Sequence, residues 1–119
     1  MAFGGDDPST EATAEYFFAK NASWVPAPSM NAARLTAGMA RLLDGRILVA
    51  GGDQSMAPTA EIFDPVTKVW TPTSDMPQAR RLMGLVVLPD GSGRQLWLFI
   101  SVSATNFQLL KTSASWLLR

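Results

Sequence analysis

Leu48-Val-Ala-Gly-Gly52 and Phe63-Asp-Pro-Val-Thr-Lys-Val-Trp70 decide how the rest of the chain is read. The first is a short apolar run closed by two glycines, where the backbone turns without interference from a Cβ. The second holds Asp64 at the first and Pro65 at the second position of a type I turn. That turn is expected to join a third strand, Thr59–Asp64, to a fourth, Lys68–Thr71. Upstream, Met39–Leu43 and Arg46–Gly51 flank Asp44-Gly45, a dipeptide suited to a type I′ hairpin, so these two segments are expected to pair antiparallel. The second strand is apolar on both faces, which fits a strand sandwiched between neighbouring layers rather than one facing water.

Outward from this unit the same residues recur. Trp24, Trp70 and Trp116 stand 46 residues apart, as do Glu15 and Glu61, Phe17 and Phe63, Met30 and Met76, Arg34 and Arg80, and Asp44-Gly45 and Asp90-Gly91. An offset of 47 links Gly4-Gly5 to Gly51-Gly52. So many residue types at one spacing mark an internal repeat, and strand-like units of this length suit one four-stranded propeller blade. The glycine doublet after an apolar strand, followed by an aromatic and a tryptophan with six residues between them, resembles the Kelch-repeat β-propeller family, within the galactose-oxidase-like superfamily. Gly4-Gly5, Phe17 and Trp24 repeat the pattern, with Met76-Pro77 and Arg80 as further family-like features. The fold this implies is all-β: a partial Kelch-type β-propeller of four-stranded antiparallel blades with a 46-residue period. Residues 1–34 would be a partial first blade, 35–80 a complete blade, and 81–119 a divergent third blade or tail. The last unit departs from the pattern, because Leu96-Trp-Leu-Phe-Ile100 runs into Ser101 without a glycine doublet, Leu109 replaces the aromatic, and Ser92-Gly93 lengthens the hairpin.

At 119 residues, with 47% hydrophobic and 17% charged residues, the chain has the size and balance of one small globular domain. Propellers close with four to eight blades, so about two and a half repeats leave an open stack with an uncovered sheet face at each end. We therefore expect a fragment of a longer propeller whose missing blades complete it, or else a homo-oligomer or a complex that closes the ring. The start at a glycine doublet, with no earlier strand of that blade before Met1, favours a fragment.

Ten basic and ten acidic residues cancel, which gives no general attraction for nucleic acid or anionic lipid. The absence of Cys and His excludes disulfides, thiolate nucleophiles, histidine bases, and metal sites built on imidazole or thiolate. No phosphate-binding or calcium loop occurs, and no cofactor is expected. The family resemblance implies a sugar oxidase or a sugar mutarotase as alternative enzymatic parents. The copper chemistry of such oxidases needs His and Cys, so any active residues would lie outside this chain. Neither a secretory signal nor an apolar run long enough for a spanning helix occurs, so the chain reads as soluble. Its compartment is not specified.

Strand parity places the loop after the second strand, 53–58, and the connection between units, 72–79, at one end of the sheet. Loops on a rigid scaffold are where binding residues concentrate. The candidate partner-binding residues are Asp6, Asp7, Asp53, Gln54, Ser55, Met56, Asp75, Arg80 and Arg81. The function expected is a non-enzymatic protein-interaction module. Glu15 and Glu61 sit within apolar strands and need partners, for which Arg34 and Arg80 are the repeating cations. The tryptophans are expected to pack between blades.

Overall fold

A computed structural model describes residues 1–5, 7, 9–81, 83–89, 95–103 and 106–108, and in it the protein is all-β. Asp6, Pro8, the Asp90-Gly91 turn, Ser92-Gly93, Leu109 and Trp116 lie outside the described residues. The first sheet runs β1 (Ala2–Phe3), β2 (Ala14–Phe18) and β3 (Ser23–Ala27). The middle sheet contains β4 (Gly38–Arg41), β5 (Ile47–Ala50), β6 (Ala60–Asp64) and β7 (Val69–Pro72). The third comprises β8 (Met83–Pro89), β9 (Gln95–Ser103) and β10 (Asn106–Gln108). Within each sheet, strands adjacent in sequence are antiparallel neighbours.

The first two sheets correspond in strand register as well as in sequence. Phe17 lies opposite Trp24 and Phe63 opposite Trp70, while Glu15 faces Pro26 and Glu61 faces Pro72. The glycine doublets are held alike: Gly4 N–H donates to the Thr13 carbonyl at 2.9 Å, and Gly51 N–H to that of Thr59 at 3.0 Å. At equivalent places after β2 and β6, Ala22 (φ 50°) and Lys68 (φ 58°) take left-handed conformations. The Asp64 turn begins as its sequence suggests, with Asp64 Oδ1 accepting from the N–H groups of Val66 and Thr67.

The β4–β5 turn corrects the type I′ expectation. Only Gly45 (φ 92°) is left-handed, and its N–H donates to the Leu42 carbonyl at 3.0 Å. Leu42 N–H in turn donates to Arg46 O at 2.7 Å. This is the three-residue alternative, a type I turn followed by a left-handed glycine bulge, and it leaves Asp44 in an ordinary conformation. Asp44 spends its carboxylate on Arg46, 2.7 Å from Nη2. That contact and the hydrogen bond from Arg46 hold the Asp44 carboxyl below its ordinary range against a smaller upward push from burial.

β5 shows why its apolar residues are consecutive. Leu48 and Ala50 pack with Leu42, Ala60, Ile62, Met76 and Leu85 of β8, toward the third sheet. Val49 packs the other way, with Phe63 and Trp70, against Ala14 and Met30; Met1, Phe3 and Tyr16 lie against the same cluster. The middle sheet is therefore covered on both faces. Among the described residues the first sheet is covered on one face only: Ala14 is buried, whereas Phe17 and Trp24 are 48% and 52% exposed. Their counterparts Phe63 and Trp70 are 0% and 7% exposed.

Candidate functional site

The connection from β3 to β4 crosses the end of the middle sheet and plugs into it. Within this connection Arg34 is fully buried, and its Nη2 lies 2.9 Å from Glu61 Oε1. Its Nε donates to the same oxygen at 3.2 Å, and its Nη1 donates to the carbonyls of Gly51 (2.9 Å) and Thr59 (3.0 Å). The other carboxylate oxygen, Oε2, accepts from the Asn31 backbone and side-chain N–H groups, both at 2.8 Å, while Ala32 N–H donates to Oε1 at 3.1 Å. Both charges are thus paired and their remaining hydrogen-bonding capacity is largely used, the condition under which burial of an ion pair is tolerated. Trp70 adds a tether, its indole N–H donating to the Pro28 carbonyl at 2.8 Å.

The expected partnership between the repeating carboxylates and arginines is realised once, by Glu61 and Arg34. Glu15 is exposed, and the expectation that it must be paired inside the fold is corrected: its side of the first sheet has no covering layer among the described residues. Arg80 is half-buried and uses its backbone carbonyl to accept from Gly52 N–H at 2.8 Å; its side chain has no ion pair among the described residues.

Asp53 holds the adjoining loop. Arg34 and Asp53 form an isolated antiparallel bridge, and Gln54 N–H donates to the Ala33 carbonyl at 3.2 Å. Asp53 is buried; Oδ1 accepts from Ser55 N–H (2.8 Å) and Ser55 Oγ–H (2.6 Å), and Oδ2 from Thr59 Oγ1–H (2.6 Å). Burial pushes its carboxyl upward, but those hydrogen bonds and the nearby Arg34 charge together hold it below the ordinary range. With its side chain consumed in this way, Asp53 shapes the loop while Gln54, Ser55 and Met56 form an exposed tip. Met56 is 59% exposed and adopts φ 64°. Gln54 reaches across to Glu11 at 3.3 Å, tying the tip to the first unit.

Of the other candidates, Asp7 is exposed and caps its own turn, accepting from Ser9 N–H and Ser9 Oγ–H; these hydrogen bonds lower its carboxyl. Asp75 is exposed at the rim of a cleft of about 120 Å³ whose floor includes Asn31, Arg34 and Glu61. Arg81 is exposed. The structure thus brings the 53–56 tip, the 28–36 connection and Asp75 to one end of the middle sheet. Asn31, Pro28 and Thr59 complete this arrangement but were not singled out by sequence. Asn31 aligns with Pro77 rather than another asparagine, and Pro28 contributes only a backbone carbonyl, so the repeat gives neither away.

At the opposite end, Tyr16, Phe18, Val25, Pro26, Pro65 and Lys68 line a shallow groove of about 290 Å³. The Tyr16 hydroxyl is buried there without a hydrogen-bond partner among the described residues, and burial raises its phenol. No cluster of three or more His, Cys, Asp or Glu side chains suited to a metal exists among the described residues, and no described helix is long and apolar enough to cross a membrane. Comparison with protein-family models and with curated proteins gives no match to this chain.

Proposed function

We propose that the chain is a non-enzymatic protein-interaction module, part of a Kelch-type β-propeller that contacts a partner protein through the loop-bearing end of its middle sheet. The observation that carries this reading is the Gln54-Ser55-Met56 tip. A large apolar side chain is exposed there at positive φ, on a loop whose base is fixed by a buried aspartate. Left-handed backbone at a non-glycine residue costs about 1–2 kcal/mol, and such strain tends to concentrate at ligand-contact sites. Loops of this kind, rigidly based and exposed at the tip, are common carriers of binding. The propeller reading rests on the sequence repeat together with a four-stranded sheet packed between two others. Asp75, Arg80 and Arg81 extend the same end with both charge signs.

A photo-crosslinking amino acid at position 56, compared with one at Val66, tests this. Val66 is an apolar residue 88% exposed in the turn at the opposite end of the sheet. A discrete protein adduct formed from position 56 and not from position 66 is the expected result. Equal labelling from both positions, or none from either, would count against the loop end as the contact surface.

A further inference from the structure

Three residues of the first sheet break the repeat where they meet the middle sheet. Tyr16, Phe18 and Val25 stand 46 residues before Ile62, Asp64 and Thr71, and in matching register: Tyr16 lies opposite Val25 as Ile62 lies opposite Thr71. In the middle sheet Ile62 is buried toward the third sheet, and Asp64 caps the turn that follows, accepting from the N–H groups of Val66 and Thr67. The first unit gives up that capping carboxylate for Phe18, which is 52% exposed, and the polar Thr71 for Val25, which is 41% exposed. Residues that recur serve the repeat. Apolar side chains gathered in water where the repeat places polar ones mark a contact surface.

All three line the groove of about 290 Å³ between the first and middle sheets, together with Pro26, Pro65 and Lys68. Both walls belong to this chain, one formed by β2 and β3 and the other by the turn between β6 and β7. The groove exceeds the cavity of about 150 Å³ that holds benzene and approaches the size of about 300 Å³ at which small-molecule pockets begin. It therefore suits one ring or branched chain with a short tail. The Tyr16 ring rests against Phe63 and Phe18, with centroids 5.6 and 6.3 Å away. Its buried hydroxyl has no hydrogen-bond partner among the described residues, which is uncommon and leaves a donor for an incoming acceptor. Burial raises this phenol, so it keeps its proton at neutral pH. Lys68 supplies the one charge along the groove among the described residues, and its side chain makes no ion pair or hydrogen bond among them.

We infer that this groove is a binding site for a small apolar carboxylic acid. Its hydrocarbon body lies against Phe18, Val25 and Pro65, and its carboxylate pairs with the Lys68 ammonium, with the Tyr16 hydroxyl as second donor. Apolar walls with one cation, one donor and no carboxylate select an anionic head on an apolar body. The groove lies at the opposite end of the sheets from the 53–56 tip, so this site stands or falls independently of the partner proposed there.

Saturation-transfer NMR on the full chain tests it, with benzoate, 3-phenylpropionate and 4-methylpentanoate as probes and their primary amides as neutral counterparts. At least one acid is expected to bind saturably and one-to-one, about tenfold or more tighter than its amide. Lys68→Gln should remove that preference. Tyr16→Phe should weaken the acid about threefold or more without lowering the urea midpoint, because the hydroxyl it removes has no partner in the described fold. Lys68 is exposed, so its substitution leaves the fold intact, and an unaltered circular dichroism spectrum checks this. Absence of saturable binding by all three acids overturns the inference. So does equal binding of acids and amides, which would make the occupant a neutral apolar group. Binding that neither Lys68→Gln nor Tyr16→Phe alters would also overturn it, by placing the acid elsewhere on the chain.

Discussion

Arg34 and Glu61 meet 2.9 Å apart with both side chains buried, joining the connection that leaves the first sheet to the third strand of the middle one. A carboxylate and a guanidinium removed from water are stable only while both remain paired. This contact therefore makes the two repeats interdependent. Glu61→Gln leaves the guanidinium uncompensated and is expected to cost about 3–5 kcal/mol in urea denaturation. Glu15→Gln, at the equivalent but exposed position, is expected to stay within about 0.5 kcal/mol of the parent. Similar losses at both sites would contradict the difference in burial.

The tryptophans provide a parallel contrast. Trp70 is nearly buried against Phe63 and donates to the Pro28 carbonyl, so Trp70→Ala is expected to cost about 3–5 kcal/mol. Trp24 contacts Phe17 similarly but lies half in water. Trp24→Ala is expected to cost under about 1 kcal/mol, as read from the same denaturation midpoints.

Asp53 makes part of the stability pH-dependent. Its carboxyl in the folded protein titrates below the unfolded value of about 3.9, so the folded state favours the carboxylate. The resulting stabilisation is complete above roughly pH 5 and is lost as pH falls through 3.9 toward the lower folded value. Urea midpoints for the parent and Asp53→Asn, taken between pH 7 and pH 2.5, should differ most at neutral pH and converge in acid. A gap independent of pH would mean that the hydrogen bonds from Ser55 and Thr59 do not favour the ionised form.

Ala22 and Lys68 occupy left-handed backbone at matching places in the two repeats. Glycine removes the Cβ penalty of about 1–2 kcal/mol there, but loses more chain entropy on folding. Ala22→Gly and Lys68→Gly should each therefore stabilise by about 0.5–1 kcal/mol in thermal unfolding. Destabilisation by either would mean that the turn does not adopt this conformation in solution.

The all-β class and the strands of the middle sheet were legible because their signals are local: an apolar run, a glycine doublet, and an Asp-Pro turn. The β4–β5 turn departs from the type I′ expectation because Asp-Gly serves more than one hairpin, and here Leu42 closes the loop through both its N–H and its carbonyl. Periodicity identified Arg34 and Glu61 as candidates for pairing, but it also treated Glu15 as their equal. Burial depends on what lies across the sheet, and that differs between two units of the same pattern. By sequence Asp53 is a candidate contact residue, because Ser55 and Thr59 come within hydrogen-bonding reach of its carboxylate only once the loop has folded over it.

The interlocking of successive repeats is tested most directly by a double-mutant cycle on its central pair, using Arg34→Met, Glu61→Leu and the double variant in urea denaturation. We expect a coupling energy of about 2 kcal/mol or more, with the double variant more stable than the sum of the single losses implies. Losses that add to within about 0.5 kcal/mol would show that the two side chains do not meet in solution, contradicting the interlock between the first two sheets.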